Sequence, residues 1–190
     1  MFESRQITDD EYRTIINTIR QGYVDLDGIT RKPNEQVADI LVLEANLGCR
    51  INDIISLRTD SFALISGVWQ INIVEQKTKK KRVFIVPSEV KAYIDEIAGK
   101  NYTDDERLFS ISAPAVWKAL KICRRSLGYD NIGSHSFRKK AAYQLYVSSG
   151  YDVSLVCSFL QHHSPATTQR YLKRSTKQME TAISKAVSLV

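Results

Sequence analysis

The chain has 190 residues and a formal net charge of +6, from 27 basic and 21 acidic side chains. A hydrophobic content of 43% and a charged content of 25% are typical of a globular chain that can bury a core. No apolar run approaches the roughly 20 residues that cross a bilayer, and the first residues lack the apolar segment of a secretory signal. Three widely spaced cysteines predict reduced core thiols, without a disulfide framework or a metal site. Together these features predict a cytoplasmic protein.

The first part of the chain predicts helices. The run Thr8-Asp9-Asp10-Glu11 has the pattern of a capping box and starts a helix that continues to about Arg20. Residues 22–33 are predicted to be a loop. Apolar residues then recur at helical spacing over 34–48 and again over 51–57, which predicts one buried helix followed directly by another.

The hydrophobic period changes to that of strands between residues 61 and 86. Three runs, 62–65, 68–74 and 83–86, are rich in β-branched residues and are separated by turn signals. They predict a three-stranded antiparallel meander. A helix is predicted from Ser88 to about Ile97. From Ser112 onward the pattern is helical, with breaks at 128–134, at Gly150 and at Ser164-Pro165.

The positive charge is concentrated at the predicted tip of the second hairpin. Five basic residues stand within six positions there: Lys77, Lys79, Lys80, Lys81 and Arg82. The rest of the chain is almost neutral. Such a local cluster is typical of a surface that binds a polyanion. The alternative is a solvated hairpin tip whose charges keep a strand edge from aggregating.

Four other groups suggest chemistry on a phosphodiester. His135 and Arg138 are spaced to project from one face at the start of a helix, and a guanidinium can bind two phosphate oxygens. His162 and Tyr171 follow. The phenol of a tyrosine has a pKa near 10, so only about one in a thousand is ionised at pH 7. A nucleophilic tyrosine therefore needs nearby cations and a proton acceptor.

Arg50 is an unexpected residue for its position. It stands at the start of the second predicted helix, where the helix dipole disfavours a cation. An anion bound between the arginine and the helix N-terminus would explain it.

The ordered set of motifs resembles the tyrosine recombinase (phage integrase) family over about residues 36–172. The stretch from Leu47 to Leu57, which contains Arg50, resembles the family's Thr-Gly-Leu-Arg-Ile-Ser-Glu-Leu motif. The hairpin sequence Gln-Lys77-Thr resembles the hairpin of the family's lysine. The segment Leu160-Gln-His-His resembles the family's Leu-Gly-His-Ser, so that Gln161 replaces the glycine and His163 the serine.

The resemblance implies a fold, α+β and mainly α, in which a helical catalytic domain carries a small three-stranded antiparallel sheet. It also implies site-specific recombination of DNA, by strand cleavage and rejoining through a 3′-phosphotyrosine and without a metal or another cofactor. The implied catalytic residues are Arg50, Lys77, His135, Arg138, His162 and Tyr171. In this scheme Tyr171 attacks, His135 helps to accept its proton, and Lys77 protonates the leaving 5′ oxygen. Arg50, Arg138 and His162 stabilise the charge on phosphorus. Lys79 is the rival of Lys77, and His163 is the rival of His162.

The expected partner is double-stranded DNA with inverted-repeat sites, bound by a homotetramer that is monomeric when free. The expected DNA-contacting residues are Lys79, Lys80, Lys81, Arg82 and Lys139. Residues 1–172 are expected to form one catalytic domain. Residues 173–190 predict a final helix, which packs on its own core or docks on a neighbouring protomer. Because typical relatives carry a DNA-clamping domain before this one, the chain is either a fragment or a short, invertase-like member.

Two other functions fit the residues. Type IB topoisomerases share the nucleophile and the arginine–lysine chemistry, so relaxation of DNA without strand exchange is one alternative. A DNA-binding regulator that kept the fold without the activity is the other. A covalent-adduct assay separates the regulator from the enzymes, whereas DNA binding alone does not.

Overall fold

Helices form most of the structure, and a small sheet is inserted between the third and fourth of them. The computed structural model describes residues 4–103, 105–162 and 164–172, apart from the side chains of residues 170 and 171. The helices are α1 Asp9–Gln21, α2 Glu35–Leu47, α3 Ile51–Ile55, α4 Ser88–Gly99, α5 Ala113–Ser126, α6 Ser134–Ser148, α7 Val153–Leu160 and α8 Pro165–Tyr171. The strands are β1 Tyr23–Val24, β2 Thr30–Arg31, β3 Phe62–Ile65, β4 Val68–Val74 and β5 Lys81–Ile85. Across the described residues, none of the helices has the length and apolar character needed to cross a membrane.

The predicted fold class is confirmed. The strands β3, β4 and β5 pair in sequence order as an antiparallel meander, with Ile71 of β4 opposite Phe84 of β5. The last strand begins two residues earlier than predicted, because Lys81 pairs with Val74 and belongs to the ladder. The tip of this hairpin therefore consists of residues 75–80, and we call it the hairpin tip.

Residues 22–33 contain a hairpin, whereas the sequence predicted a loop. Its strands, β1 and β2, pair in antiparallel fashion. The buried carboxylate of Asp25 accepts hydrogen bonds from the amides of Asp27 and Ile29, both at 2.9 Å. It also accepts one at 2.7 Å from the guanidinium of Arg31. Strands of two residues are too short to show an alternating pattern, so periodicity cannot reveal them.

Helix α2 is buried on almost every side and packs against α1, α3, α4 and α6. It begins after Asn34, whose side chain accepts a hydrogen bond of 3.0 Å from the Val37 amide. It ends at Gly48, which has a φ of 56° and donates its amide to the Glu44 carbonyl at 3.1 Å. A Cβ at position 48 would lie 2.5 Å from the ring of Phe159. Glycine therefore provides both the left-handed conformation and the space that this helix end requires.

The carboxylate of Asp39 ties α2 to its neighbours and is completely buried. Its four donors are Arg20 at 3.0 Å, Tyr93 at 2.5 Å, Lys100 at 2.8 Å and Tyr102 at 3.0 Å. Burial acts to raise the pKa of this carboxyl, but the hydrogen bonds outweigh burial and hold the pKa below its usual range. Asp39 is thus an anion that links α2 to α1, α4 and the loop after α4.

We expect Asp39→Ala to lower the free energy of unfolding by about 3 kcal/mol, measured by urea denaturation at pH 7. This is the low end for a broken buried charge pair, because Arg20 and Lys100 keep about a third of their side chains in water. The control is Asp95→Ala, which removes the exposed partner of Lys91 and should cost less than about 1 kcal/mol.

This contribution of Asp39 should also depend on pH. Because folding lowers its pKa, the stabilisation is present above the unfolded value of about 3.9 and is lost as the pH falls through the folded value. The difference between wild type and Asp39→Ala should therefore shrink in acid. Equal losses in the Asp39 and Asp95 variants would contradict the role of Asp39.

Candidate active site

The predicted catalytic residues come from five places along the chain. Arg50 precedes α3, Lys77 lies in the hairpin tip, His135 and Arg138 lie in the first two turns of α6, His162 follows α7, and Tyr171 is the last residue of α8. The side chain of Tyr171 and the whole of His163 lie outside the described part of the chain. The contacts of the remaining five residues decide which of the segments meet.

Arg138 joins two helix ends. Its side chain is only 2% exposed, and its guanidinium donates hydrogen bonds to the carbonyls of Gly48 at 2.7 Å and Leu160 at 2.9 Å. The last carbonyls of a helix lack helical partners and carry partial negative charge. The buried cation is therefore satisfied by the ends of α2 and α7, the two elements that lead into Arg50 and His162.

Arg50 is paired with an acidic residue for which the sequence suggested no role. Nη1 of Arg50, whose side chain is 21% exposed, donates to Oε2 of Glu75 at 2.6 Å. Glu75 is completely buried and also accepts hydrogen bonds from Thr78 at 2.7 Å and from Arg82 at 3.2 Å. Burial acts to raise the pKa of this carboxyl. Thr78, Arg50 and Arg82 together lower the pKa by more than burial raises it, so the pKa lies below its usual range. Glu75 is an anion among the cations of the site.

Arg82 was expected beside the surface lysines of the hairpin, but it is buried inside the fold. It is 1% exposed and donates to the carbonyls of Leu47 at 3.1 Å and Gly48 at 3.4 Å. Its guanidinium also lies 4.7 Å from the ring centroid of Phe84. Side chains alternate between the two faces of a strand, so Lys81 faces solvent while Arg82 faces the core.

The other predicted DNA-contacting residues have different surroundings. The lysines of the hairpin, Lys77, Lys79, Lys80 and Lys81, are all exposed. Lys77 is close enough to His135 to act on the pKa of that histidine. Lys139 is half-buried on α6, and its ammonium group donates to the Ser4 carbonyl at 2.6 Å.

His135 is exposed overall at the start of α6, but atoms around its ring still desolvate it partly. This desolvation lowers the pKa of the imidazole, and the positive charges of Arg138 and Arg50 lower it further. The ring is consequently neutral at pH 7 and able to accept a proton.

His162 is half-buried, and the pKa of its imidazole is lowered more strongly than that of His135. Burial, and then the charges of Arg138 and Arg50, lower its pKa to about 4. Its Nδ1 lies 3.0 Å from the hydroxyl of Thr168, a completely buried residue of α8. This hydrogen bond connects the histidine to the helix that ends at the predicted nucleophile.

Gln161 stands where the resembling motif has glycine. It adopts a left-handed conformation, with φ 52° and ψ 42°, at the end of α7. That conformation costs a residue with a side chain roughly 1–2 kcal/mol. The side-chain Nε2 donates to the carbonyl of Lys81 at 3.0 Å, so the turn that precedes His162 is tied to β5.

Sequence reasoning gave no structural role to three residues that organise this site: Glu75, Gln161 and Thr168. Glu75 had a usable signal, since it is the acidic residue that immediately precedes a strongly basic hairpin tip. A carboxylate in that position either stays in solvent or pairs with the nearby cations. Nothing in the local sequence distinguishes Thr168 from its neighbour Thr167, because the partner of its hydroxyl comes from another element.

The chain is similar to known integrases and recombinases. The Phage integrase family profile matches residues 5–178. The probable integrase/recombinase YoeC of Bacillus subtilis (strain 168) is 29% identical over 140 residues, which cover 70% of this chain and 75% of YoeC.

Two solved structures share the fold. The catalytic domain of bacteriophage HP1 integrase has a TM-score of 0.63 at 16% identity, covering 97% of this chain and 96% of that domain. XerH site-specific recombinase bound to its difH substrate has a TM-score of 0.65 at 18% identity, covering 94% of this chain but only 53% of XerH. The chain thus spans about half the length of XerH.

We expect the imidazole of His162 to titrate near pH 4 in the DNA-free protein, and that of His135 below the ordinary value of about 6.5. NMR of the ring Cε1–H signals against pH measures both, and His162→Gln and His135→Gln assign the signals. The urea-unfolded chain, in which both rings should titrate near about 6.5, is the control. Because the unfolded chain binds these protons first, acidification should favour unfolding between the two pKa values. A folded-state titration of His162 at 6.5 or above would contradict the described surroundings of its ring.

Proposed function

Because this chain belongs to the phage integrase family, we propose that it recombines DNA at specific sites, through a covalent 3′-phosphotyrosine intermediate. One observation carries this proposal: the guanidinium of Arg138, on the same helix as His135, donates to the carbonyls of Gly48 and Leu160, which stand two residues before Arg50 and His162. Two guanidinium groups and two neutral imidazoles from three separate segments therefore converge on one place. Such a group of donors suits a phosphodiester, and the predicted nucleophile ends the next helix.

In this proposal Arg50, Arg138 and His162 bind the scissile phosphate. The guanidinium groups stay charged at any physiological pH and donate to the non-bridging oxygens. His162 is neutral, and the proposal requires the tautomer in which the Thr168 hydroxyl donates to Nδ1 and the ring proton is on Nε2. That N–H donates to an oxygen whose negative charge grows as the pentavalent transition state forms.

The hydroxyl oxygen of Tyr171 attacks phosphorus and forms a P–O bond while the bond from phosphorus to the 5′ oxygen breaks. His135 takes the proton of the phenol, and Lys77 gives a proton to the departing 5′ oxygen. Proton transfer of this kind contributes about a hundred- to ten-thousand-fold. A 5′ hydroxyl from the partner strand then attacks phosphorus and loses its proton, while the bond from phosphorus to the Tyr171 oxygen breaks and the phenol is reprotonated. The energy of the phosphodiester bond is therefore retained.

The proposal extends to the domain and its partners. Residues 1–172 form one catalytic domain that acts on double-stranded DNA carrying inverted repeats, as a homotetramer assembled from free monomers. XerH, which shares the fold, is described in complex with its DNA substrate. The predicted C-terminal helix, 173–190, lies outside the described residues, and its exchange between protomers stays a prediction.

We expect a nicked (suicide) DNA substrate to trap a covalent adduct that maps to Tyr171 and falls below detection in Tyr171→Phe. The substrate is a pool of duplexes with candidate inverted repeats, and the readout is a denaturing gel followed by peptide mapping. Tyr151→Phe is the control, because it removes an exposed phenol that follows α6 but keeps the ring contact with Tyr146. An adduct at another tyrosine would overturn the assignment of Tyr171. DNA binding without any adduct would favour the regulator.

We expect the hairpin lysines to contribute affinity without sequence preference. Replacing Lys79, Lys80 and Lys81 together by glutamine should reduce the slope of log K against log salt by up to about 3, or roughly one unit for each lost phosphate contact. Fluorescence anisotropy over a salt series measures the slope. The matched control replaces three exposed cations of α5 by glutamine: Lys118, Lys121 and Arg125. A slope equal to that of the wild type would exclude phosphate contacts by Lys79, Lys80 and Lys81.

A further inference from the structure

We propose that Glu75 is a positioning residue for DNA cleavage, whose buried carboxylate holds the guanidinium of Arg50 in the orientation that binds the scissile phosphate. The inference rests on the proposed function, and it adds a residue that lies outside the predicted catalytic set. Within the described part of the chain, the side chain of Glu75 bonds to Arg50, Thr78 and Arg82, none of which forms or breaks a covalent bond in that scheme. Its effect on the reaction passes through Arg50.

Both carboxylate oxygens of Glu75 are engaged. Oε2 accepts hydrogen bonds from Arg50 at 2.6 Å and from the Thr78 hydroxyl at 2.7 Å. Oε1 accepts one from Arg82 at 3.2 Å. Contacts between ionised groups are shorter and stronger than neutral hydrogen bonds, so they fix direction as well as distance.

The buried side of this network is anchored to the backbone at the end of α2. Arg82, at 1% exposure, is itself held by the carbonyls of Leu47 and Gly48. Arg82 therefore holds one carboxylate oxygen of Glu75 from the buried side, and the other oxygen accepts from Arg50. A flexible arginine side chain is held in one position before DNA arrives, which reduces the ordering that binding would otherwise require.

The same residue also closes the loop that carries Lys77. The Glu75 amide donates to the Lys80 carbonyl at 3.0 Å, and the Lys79 amide donates to the Glu75 carbonyl at 2.9 Å. The side chain of Glu75 is bound to Arg50 while its backbone forms the base of the hairpin tip. One residue thus sets the position of the phosphate-binding arginine relative to the proposed general acid.

The opposite role, a carboxylate that competes with DNA phosphate for Arg50, makes the opposite prediction. In that case the removal of the negative charge should speed cleavage. The anchoring of Glu75 by Thr78 and Arg82 argues against competition, since Glu75 need not leave Arg50 when the phosphate binds. A guanidinium has five N–H donors, so Arg50 can hold Glu75 and a phosphate oxygen together.

The experiment measures single-turnover cleavage of the suicide substrate and DNA affinity for the wild type, Glu75→Gln, Arg50→Ala and the double variant. We expect Glu75→Gln to cleave about tenfold to a hundredfold more slowly, the scale of a misplaced catalytic group. Its DNA affinity should be equal to or higher than that of the wild type, because a negative charge is lost. The double variant should be no slower than Arg50→Ala alone, since a residue that acts through Arg50 has nothing left to position.

A substrate with sulfur in place of the 5′ bridging oxygen separates an effect of Glu75 on Arg50 from an effect on Lys77. A thiolate leaves without a general acid, so this substrate should restore cleavage by Lys77→Ala but should not restore Glu75→Gln.

The control is Glu106→Gln, which removes an exposed carboxylate paired with Arg58 at 2.6 Å and should match the wild type. Thermal unfolding verifies that each variant is folded. If Glu75→Gln does not fold, Glu75→Asp keeps the charge, shortens the reach and should show the same pattern to a smaller degree.

The outcomes are distinct. Cleavage by Glu75→Gln at or above the wild-type rate, multiplicative effects in the double variant, or full rescue by the sulfur substrate would each overturn the positioning role while the proposed function stands. Absence of any adduct with the wild type would overturn both. Slower cleavage with intact DNA affinity and no further loss in the double variant would support the positioning role.

Discussion

The site depends on the carbonyl oxygen of Gly48, which accepts hydrogen bonds from two buried guanidinium groups. Arg138 reaches it from α6 and Arg82 from β5. The carbonyl end of α2 has partial negative charge, and glycine alone can turn the chain there beside the ring of Phe159. The helix, the sheet and the loop to Arg50 are therefore joined at one oxygen. The segments that carry the predicted catalytic groups are placed relative to this point.

Two buried glutamates show how the surroundings decide charge at this helix end. Glu44 lies one turn before Gly48, and neither of its oxygens has a hydrogen-bond partner among the described residues. Burial raises its pKa well above the usual range, which favours the neutral form. Glu75 is equally buried, but it receives hydrogen bonds from Arg50, Thr78 and Arg82 and remains ionised. Glu75 thus provides a compensating negative charge at the point where the hairpin meets Arg50.

The longer elements were predictable from the sequence because each has a local cause. The capping box starts α1, and the change of period marks the meander. The family was also predictable, because it depends on the order of the motifs along the chain and not on contacts between them. The burial of Arg82 was not predictable, because the acceptors of its guanidinium lie at the distant end of α2. The roles of Tyr171 and the other catalytic residues stay predictions, since only their placement is described.

The hydrogen bond from Gln161 to the Lys81 carbonyl limits which changes the hairpin can accept during evolution. Its acceptor is a backbone carbonyl, so any residue at position 81 would supply it equally well. The constraint therefore falls on the number of residues in the hairpin and not on their identity. Substitutions can accumulate in the tip and alter its affinity for DNA, whereas an insertion or deletion there would shift the acceptor away from a glutamine already held in an unfavourable backbone conformation. We expect homologues that keep this glutamine to share one hairpin length, and homologues with glycine at this position to vary more freely.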